Sequence, residues 1–211
     1  MKTNCGAFMS KPFTAEVMSE VLVLTGLPGS GKSVASAIAE EIGIPVVTMG
    51  DVIRNETAKR GLEANSKNIG MVAVDLRTQY GEDIVLRKSW PRISEALENH
   101  SLIIIDGMRS SAEENALIEL MGKRPKILAI IASEDARNSR LIERKRSDDA
   151  EIIVEKKLSK HHAIIERDIR ERGWGVESLL ERADLRIENE DSIESFRETV
   201  KALLEGLNYP N

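Results

Sequence analysis

Cysteine is nearly absent: Cys5 is the single one in 211 residues. That excludes an intrachain disulfide and a cysteine-built zinc site, and it suits a reducing compartment, so a cytoplasmic location is expected. Aromatic residues make up only 3% of the chain. No apolar run approaches the roughly 18 residues of a membrane span. Residues 1–20 lack the continuous apolar core of a signal peptide and read as a flexible tail, with Met9 and Met18 as alternative starts. A basic excess is missing too. Thirty Lys and Arg against 35 Asp and Glu leave a net charge of −5, which argues against a protein built to coat nucleic acid. Neither a membrane nor nucleic acid is therefore indicated as a partner. What remains is 41% hydrophobic and 31% charged, a globular composition. A chain of this length can bury about two-thirds of its unfolded surface in one domain, expected over residues 21–211.

The strongest local signal follows the tail. Val21-Leu22-Val23-Leu24 is a short apolar run of the kind found in a strand buried on both faces. It leads through Thr25 into Gly26-Leu27-Pro28-Gly29-Ser30-Gly31-Lys32-Ser33, then Val34, Ala35, Ile38, Ala39 and Ile42 recur at helical spacing. This is G-x-x-x-x-G-K-S between a strand and a helix, the phosphate-binding P-loop pattern. Glycine lets backbone N–H groups close around an anion, and the helix start adds its positive dipole end. Lys32 is expected to reach the β- and γ-phosphates of ATP, and the Ser33 hydroxyl to ligate Mg²⁺. By average composition the four fixed residues match by chance in roughly 1% of chains this long. The strand before and the helix after reduce that further.

Further apolar runs lie at 45–48, 102–105, 127–131 and 183–187, with helical patterns between them. The alternation predicts a three-layer α/β/α fold around a five-stranded parallel sheet, a P-loop NTPase architecture. The long interval between the second and third runs predicts helices near 51–60, 66–80 and 82–98, with Pro91 kinking or splitting the last. Residues 49–100 are thus expected to form a helical acceptor-binding insertion. Further on, helices are expected over 134–146, 149–172 and 192–204. The first carries Arg137, Arg140 and Arg144 at spacings of three and four, hence on one face. Such a face could clamp a transferring phosphoryl group, and residues 134–149 are expected to form a short lid.

Two short segments emerge at the C-terminal strand ends beside the loop. One is Thr48-Met49-Gly50-Asp51-Val52-Ile53-Arg54; the other is Asp106-Gly107-Met108-Arg109. Asp106 stands where a carboxylate orders Mg²⁺ with Ser33, and Gly107 permits a tight backbone path. Arg54 and Arg109 face the same cleft, where guanidinium forks suit a second phosphate. Asp51 is also placed to N-cap its own helix.

With these segments in view the chain resembles the nucleoside monophosphate kinases, adenylate kinase above all. It resembles still more closely a set of archaeal, kinase-related P-loop proteins of unsettled substrate, across nearly all of residues 21–206. The shared segments are GLPGSGKS, MGDVIR, IDGMRS, RSDD (146–149) and ERDIRE (166–171). The resemblance implies ATP and Mg²⁺ as cofactors and a small phosphate acceptor as partner. It implies that Arg54 and Arg109 hold the acceptor's phosphate, that Arg137, Arg140 and Arg144 close over the transfer, and that Asp148 and Asp149 end the lid. Three departures bear on base specificity. DGMRS lacks the family's proline, the adenine-reading glutamine after that motif is missing, and the lid is short. Phosphoryl transfer to a (deoxy)nucleoside monophosphate is the leading expectation. A nucleotide-switch ATPase acting on a protein or RNA–protein partner, and a kinase of the dephospho-coenzyme A type, remain alternatives. The last would need a base, with Asp51 or Asp106 at hand. Arg167 could contact substrate or pair with a neighbouring carboxylate.

Overall fold

A computed structural model describes residues 20–143 and 157–208. Among the described residues, five strands and nine helices alternate. They run β1 (Glu20–Thr25), α1 (Lys32–Glu41), β2 (Val46–Thr48), α2 (Gly50–Lys59), α3 (Ser66–Tyr80), α4 (Ile84–Asn99), β3 (Leu102–Asp106), α5 (Ser111–Met121), β4 (Lys126–Ile131), α6 (Glu134–Glu143), α7 (Lys157–Gly173), α8 (Val176–Glu181), β5 (Leu185–Glu188) and α9 (Ile193–Asn208). The sheet is all parallel in the order β2-β3-β1-β4-β5. The expected α/β fold with a five-stranded parallel sheet is what the chain forms.

The pleat of the central strands explains their unbroken hydrophobicity. Val21, Val23, Ile103 and Ile105 face one cluster, which α2, α3, α4, α5 and α8 cover. Leu22, Leu24, Ile104 and Leu128 face the other, which α1 and α9 cover. Neither face meets water, so alternation with polar residues would bury unpaired groups.

Register does the positioning. Leu24 on β1 and Thr48 on β2 both pair with Asp106 on β3, and the Met49 N–H donates to the Asp106 carbonyl at 2.9 Å. Three strand ends therefore finish level. The chain runs from β1 out to β2 and back to β3 on one side, then crosses from β3 past β1 to β4 on the other, and the crevice of such a switch point is where parallel sheets bind ligands.

Of the kink or split expected at Pro91, the split does not occur: α4 runs through it as one helix. Proline there removes one backbone bond and crowds the preceding turn, a cost of about 3 kcal/mol. Val85, Leu86 and Ile93 are buried on the core face of the same helix, and burying each stabilises by about 1.5–3 kcal/mol. Burial wins. The short α8, just after the left-handed Gly175, is an addition to the expected elements. Arg144, Asp148 and Asp149 lie outside the described residues.

Candidate functional site: a phosphate loop meeting an arginine-lined pocket

The loop between β1 and α1 is held from behind as much as it is shaped by its glycines. Gly29 sits at φ +80°, and a Cβ there would lie 2.6 Å from the Arg137 carbonyl oxygen. Gly31 caps α1 at φ +118°, and a side chain there would strike Asn189 and Phe196. Asn189, just past β5, donates from Nδ2 to the Ser30 carbonyl at 2.8 Å. The Ser30 N–H donates to the Leu27 carbonyl, and the Val34 N–H to the Gly31 carbonyl. The Lys32 ammonium folds back onto the carbonyls of Gly26 and Leu27. Burial pulls its pKa from 10.5 to about 8, although Glu171 and Asp106 pull the other way.

Two of the expected lid arginines are tied to this loop. Arg137, only 2% exposed, donates to the Pro28 carbonyl at 3.0 Å. Its other fork meets Asp168 of α7 at 2.7 Å. It therefore braces the loop from beneath and is absent from the cleft lining. Arg140 donates to the Asn189 backbone carbonyl at 2.8 Å, lines the cleft, and keeps a buried Nη1 without a hydrogen-bond partner among the described residues. Arg137 and Arg140 share a helix face, yet one is spent on the fold and the other lines the cleft.

The cleft over the loop encloses about 800 Å³ and is lined by Lys32, Ser33, Val34, Asp106, Gly107 and Arg140 among others. That is within the usual range for a small-molecule site. Asp106 Oδ1 is buried with no hydrogen-bond partner among the described residues, a costly state unless a ligand completes it. One carboxylate and one hydroxyl beside a phosphate loop are hard oxygen donors, the set that suits Mg²⁺ together with phosphate oxygens and water. The residues present fit that ion.

A second, smaller cavity of about 70 Å³ adjoins the first, and Gly50, Arg54, Arg109 and Arg167 line both. Arg170, Arg77, Glu171 and Trp174 line the rest of it together with apolar residues such as Ile53, Ile69 and Val85. Arg54 pairs with Asp51 at 2.6 Å, and Arg92 reaches the other Asp51 oxygen at 3.2 Å. The N-cap of α2 is Met49, with no side-chain cap bond. So the structure assigns Asp51 to these arginines rather than to capping, because it sits one residue inside the helix. Arg109 donates from Nη1 to the Gly107 carbonyl at 2.7 Å and meets Glu171 at 3.3 Å. Arg167 meets the other Glu171 oxygen at 3.1 Å. Burial draws Arg109 down, but Glu171, Glu113 and Asp106 together hold it above its ordinary value.

Beneath this wall lies a buried acid that sequence reading missed. Glu113, fully buried, accepts the Arg109 N–H at 2.7 Å and pairs with Arg77 at 2.9 Å. Ser110 caps α5 by accepting the Glu113 N–H, so S-x-x-E before an apolar run was the available signal. Arg77 lies 4.2 Å over the Trp174 ring and Arg170 5.8 Å. Arg170 is drawn down by burial and then by Arg167. Glu171 ends the ERDIRE segment four residues after Arg167, so its pairing with Arg167 was within reach of the spacing; nothing in the spacing of Arg77 or Trp174 points to the site, and only the fold joins α3 to α7.

Residues 25–157 match a family model described as an AAA domain. A UPF0200/UPF0201 protein of Archaeoglobus fulgidus is 40% identical over 185 residues, 88% of this chain and 55% of that protein. A UPF0200 protein of Methanosarcina acetivorans is 41% identical over 187 residues, covering 89% and 95%. This chain thus spans about half the length of the Archaeoglobus relative and nearly all of the Methanosarcina one. Among solved structures, shikimate kinase from Bacteroides thetaiotaomicron superposes with a TM-score of 0.53 at 18% identity, covering 90% of this chain and 99% of that one. TT1252 from Thermus thermophilus gives 0.58 at 19%, with the same coverage. At those identities the likeness establishes a P-loop kinase-like fold. The chain belongs to the AAA-domain P-loop proteins and, within them, to the UPF0200 family.

Proposed function

We propose that this UPF0200 protein is an ATP-dependent phosphotransferase acting on a small phosphate-bearing acceptor, a (deoxy)nucleoside monophosphate in the simplest case. The observation that carries the reading is the shared wall. The loop cleft and the arginine pocket meet at Gly50, Arg54, Arg109 and Arg167, so a donor phosphate and an acceptor phosphate would face each other across fixed cations. A second cationic pocket beside the loop suits an acceptor phosphate; a nucleotide switch would use it only to bind its partner.

Catalysis of this kind rests on positioning and charge stabilisation. The loop N–H groups and Lys32 would hold the β- and γ-phosphates. Mg²⁺ held by Ser33 and Asp106 would neutralise charge on the phosphate oxygens. Arg140, which lines the cleft, would meet charge that develops on the transferring group. Arg54, Arg109 and Arg167 would orient the acceptor. An acceptor that is already a phosphate enters ionised, so no general base is required.

Acceptor kinetics test this. A charge-assisted contact contributes about 1.5–3 kcal/mol, so Arg109→Ala should lower kcat/KM for the acceptor about 10- to 100-fold. The KM for ATP should move far less. Equal loss for both substrates would contradict the assignment of Arg109 to the acceptor.

A further inference from the structure

Glu171 is the buried acid of the shared wall. Its side chain is 4% exposed, and its two oxygens divide between Arg109 Nε at 3.3 Å and Arg167 Nε at 3.1 Å. Burial pushes its carboxyl up, yet Arg109, Arg167 and Lys32 hold it down at about 2, so it stays anionic in any ordinary buffer. A carboxylate between two guanidiniums presents the same charge pattern as one edge of a phosphate. It does so where the acceptor phosphate would have to sit, because both arginines line both cavities.

We propose that Glu171 is a displaceable counter-anion that fills the acceptor phosphate's seat between Arg109 and Arg167 while the pocket is empty. This rests on the phosphate-acceptor reading of the same site. Buried cations without a partner are costly, so an empty pocket of clustered arginines needs an internal anion to remain formed. Arg170 lines the same smaller cavity, and its buried Nε has no hydrogen-bond partner among the described residues, so a further cation borders the seat. The exchange also sets a charge threshold. A monoanion entering the pocket only replaces one unit of negative charge by another. A phosphate dianion adds a charge and a further oxygen, and so gains over what it displaces.

The test is direct binding on the full chain with the phosphate loop saturated by Mg-ADP, titrating inorganic phosphate by calorimetry. Glu171→Gln should bind phosphate at least tenfold more tightly than the wild type. A Glu171 that merely orients the arginines gives the opposite result, unchanged or weaker binding, and that would overturn the proposal. Should Glu171→Gln fail to fold, Glu171→Asp keeps the charge and withdraws the carboxylate by about 1.5 Å, one carbon–carbon bond. It should gain about threefold, and no gain would again overturn the idea. The readout does not require turnover. Tighter phosphate binding without transfer to any acceptor would sink the kinase reading and leave the counter-anion standing; transfer without the gain would do the reverse.

Discussion

Replacing Asp168 by Asn separates a brace from a lid. Arg137 and Asp168 form a two-pronged pair, at 2.7 and 3.1 Å, with side chains 3% and 14% exposed. Removing one partner of a buried pair costs about 3–5 kcal/mol, because the other charge is left without compensation. Asp168 retains some hydration, and Asn can still accept one of the two bonds, so we take the lower end, about 3 kcal/mol. For a domain near 200 residues each kcal/mol shifts Tm by about 2–4 °C, which gives a drop of about 6–12 °C. The assay is thermal unfolding followed by circular dichroism at neutral pH. Since the same guanidinium donates to the Pro28 carbonyl, affinity for an ATP analogue should fall as well. A Tm change under about 2 °C, with nucleotide affinity intact, would refute the brace and return Arg137 to the lid role expected from its spacing.

Gly29→Ala should leave the far-ultraviolet spectrum unchanged and weaken ATP binding more than tenfold, since φ +80° and the Arg137 carbonyl at 2.6 Å force the loop to move; titration of a fluorescent ATP analogue measures it. ATP affinity should fall as pH rises past the Lys32 pKa of about 8. The ammonium is about nine-tenths charged at pH 7 and one-tenth at pH 9, so the loss approaches tenfold, and Lys32→Arg should abolish the dependence. The same shift carries a stability sign. Between pH 8 and 10.5 the unfolded chain holds the Lys32 proton that the folded chain has released, so this group's contribution makes the ligand-free protein more stable as pH rises through that window. Denaturant midpoints of the wild type and Lys32→Met across that range would show it.

Local chemistry made much of this molecule legible. The P-loop is contiguous, and each residue's part follows from neighbours within eight positions. The strands were readable because both sheet faces are covered, so Val21–Leu24 and Leu102–Ile105 are unbroken apolar runs. Pro91 misled because propensity is a local cost that burial of Val85, Leu86 and Ile93 outweighs. Arg137 and Arg140 were correctly placed on one helix face, but helical spacing does not say what lies opposite each. Asp168 and Asn189 come from distant segments. The wall of the smaller cavity was half visible: Arg54, Arg109, Arg167 and Glu171 sit in short signatures, whereas Glu113, Arg77 and Trp174 join it only when α3, α5 and α7 converge.

The central claim is phosphoryl transfer to a phosphate acceptor, and product analysis with Mg²⁺ and γ-labelled ATP tests it most directly. The panel would hold ribo- and deoxynucleoside monophosphates, dephospho-coenzyme A and a control without acceptor, with Lys32→Ala as the inactive reference. The account predicts label in one diphosphate product, dependent on its monophosphate and absent with Lys32→Ala. Label only in free phosphate, released at one rate whether or not an acceptor is present, would contradict it.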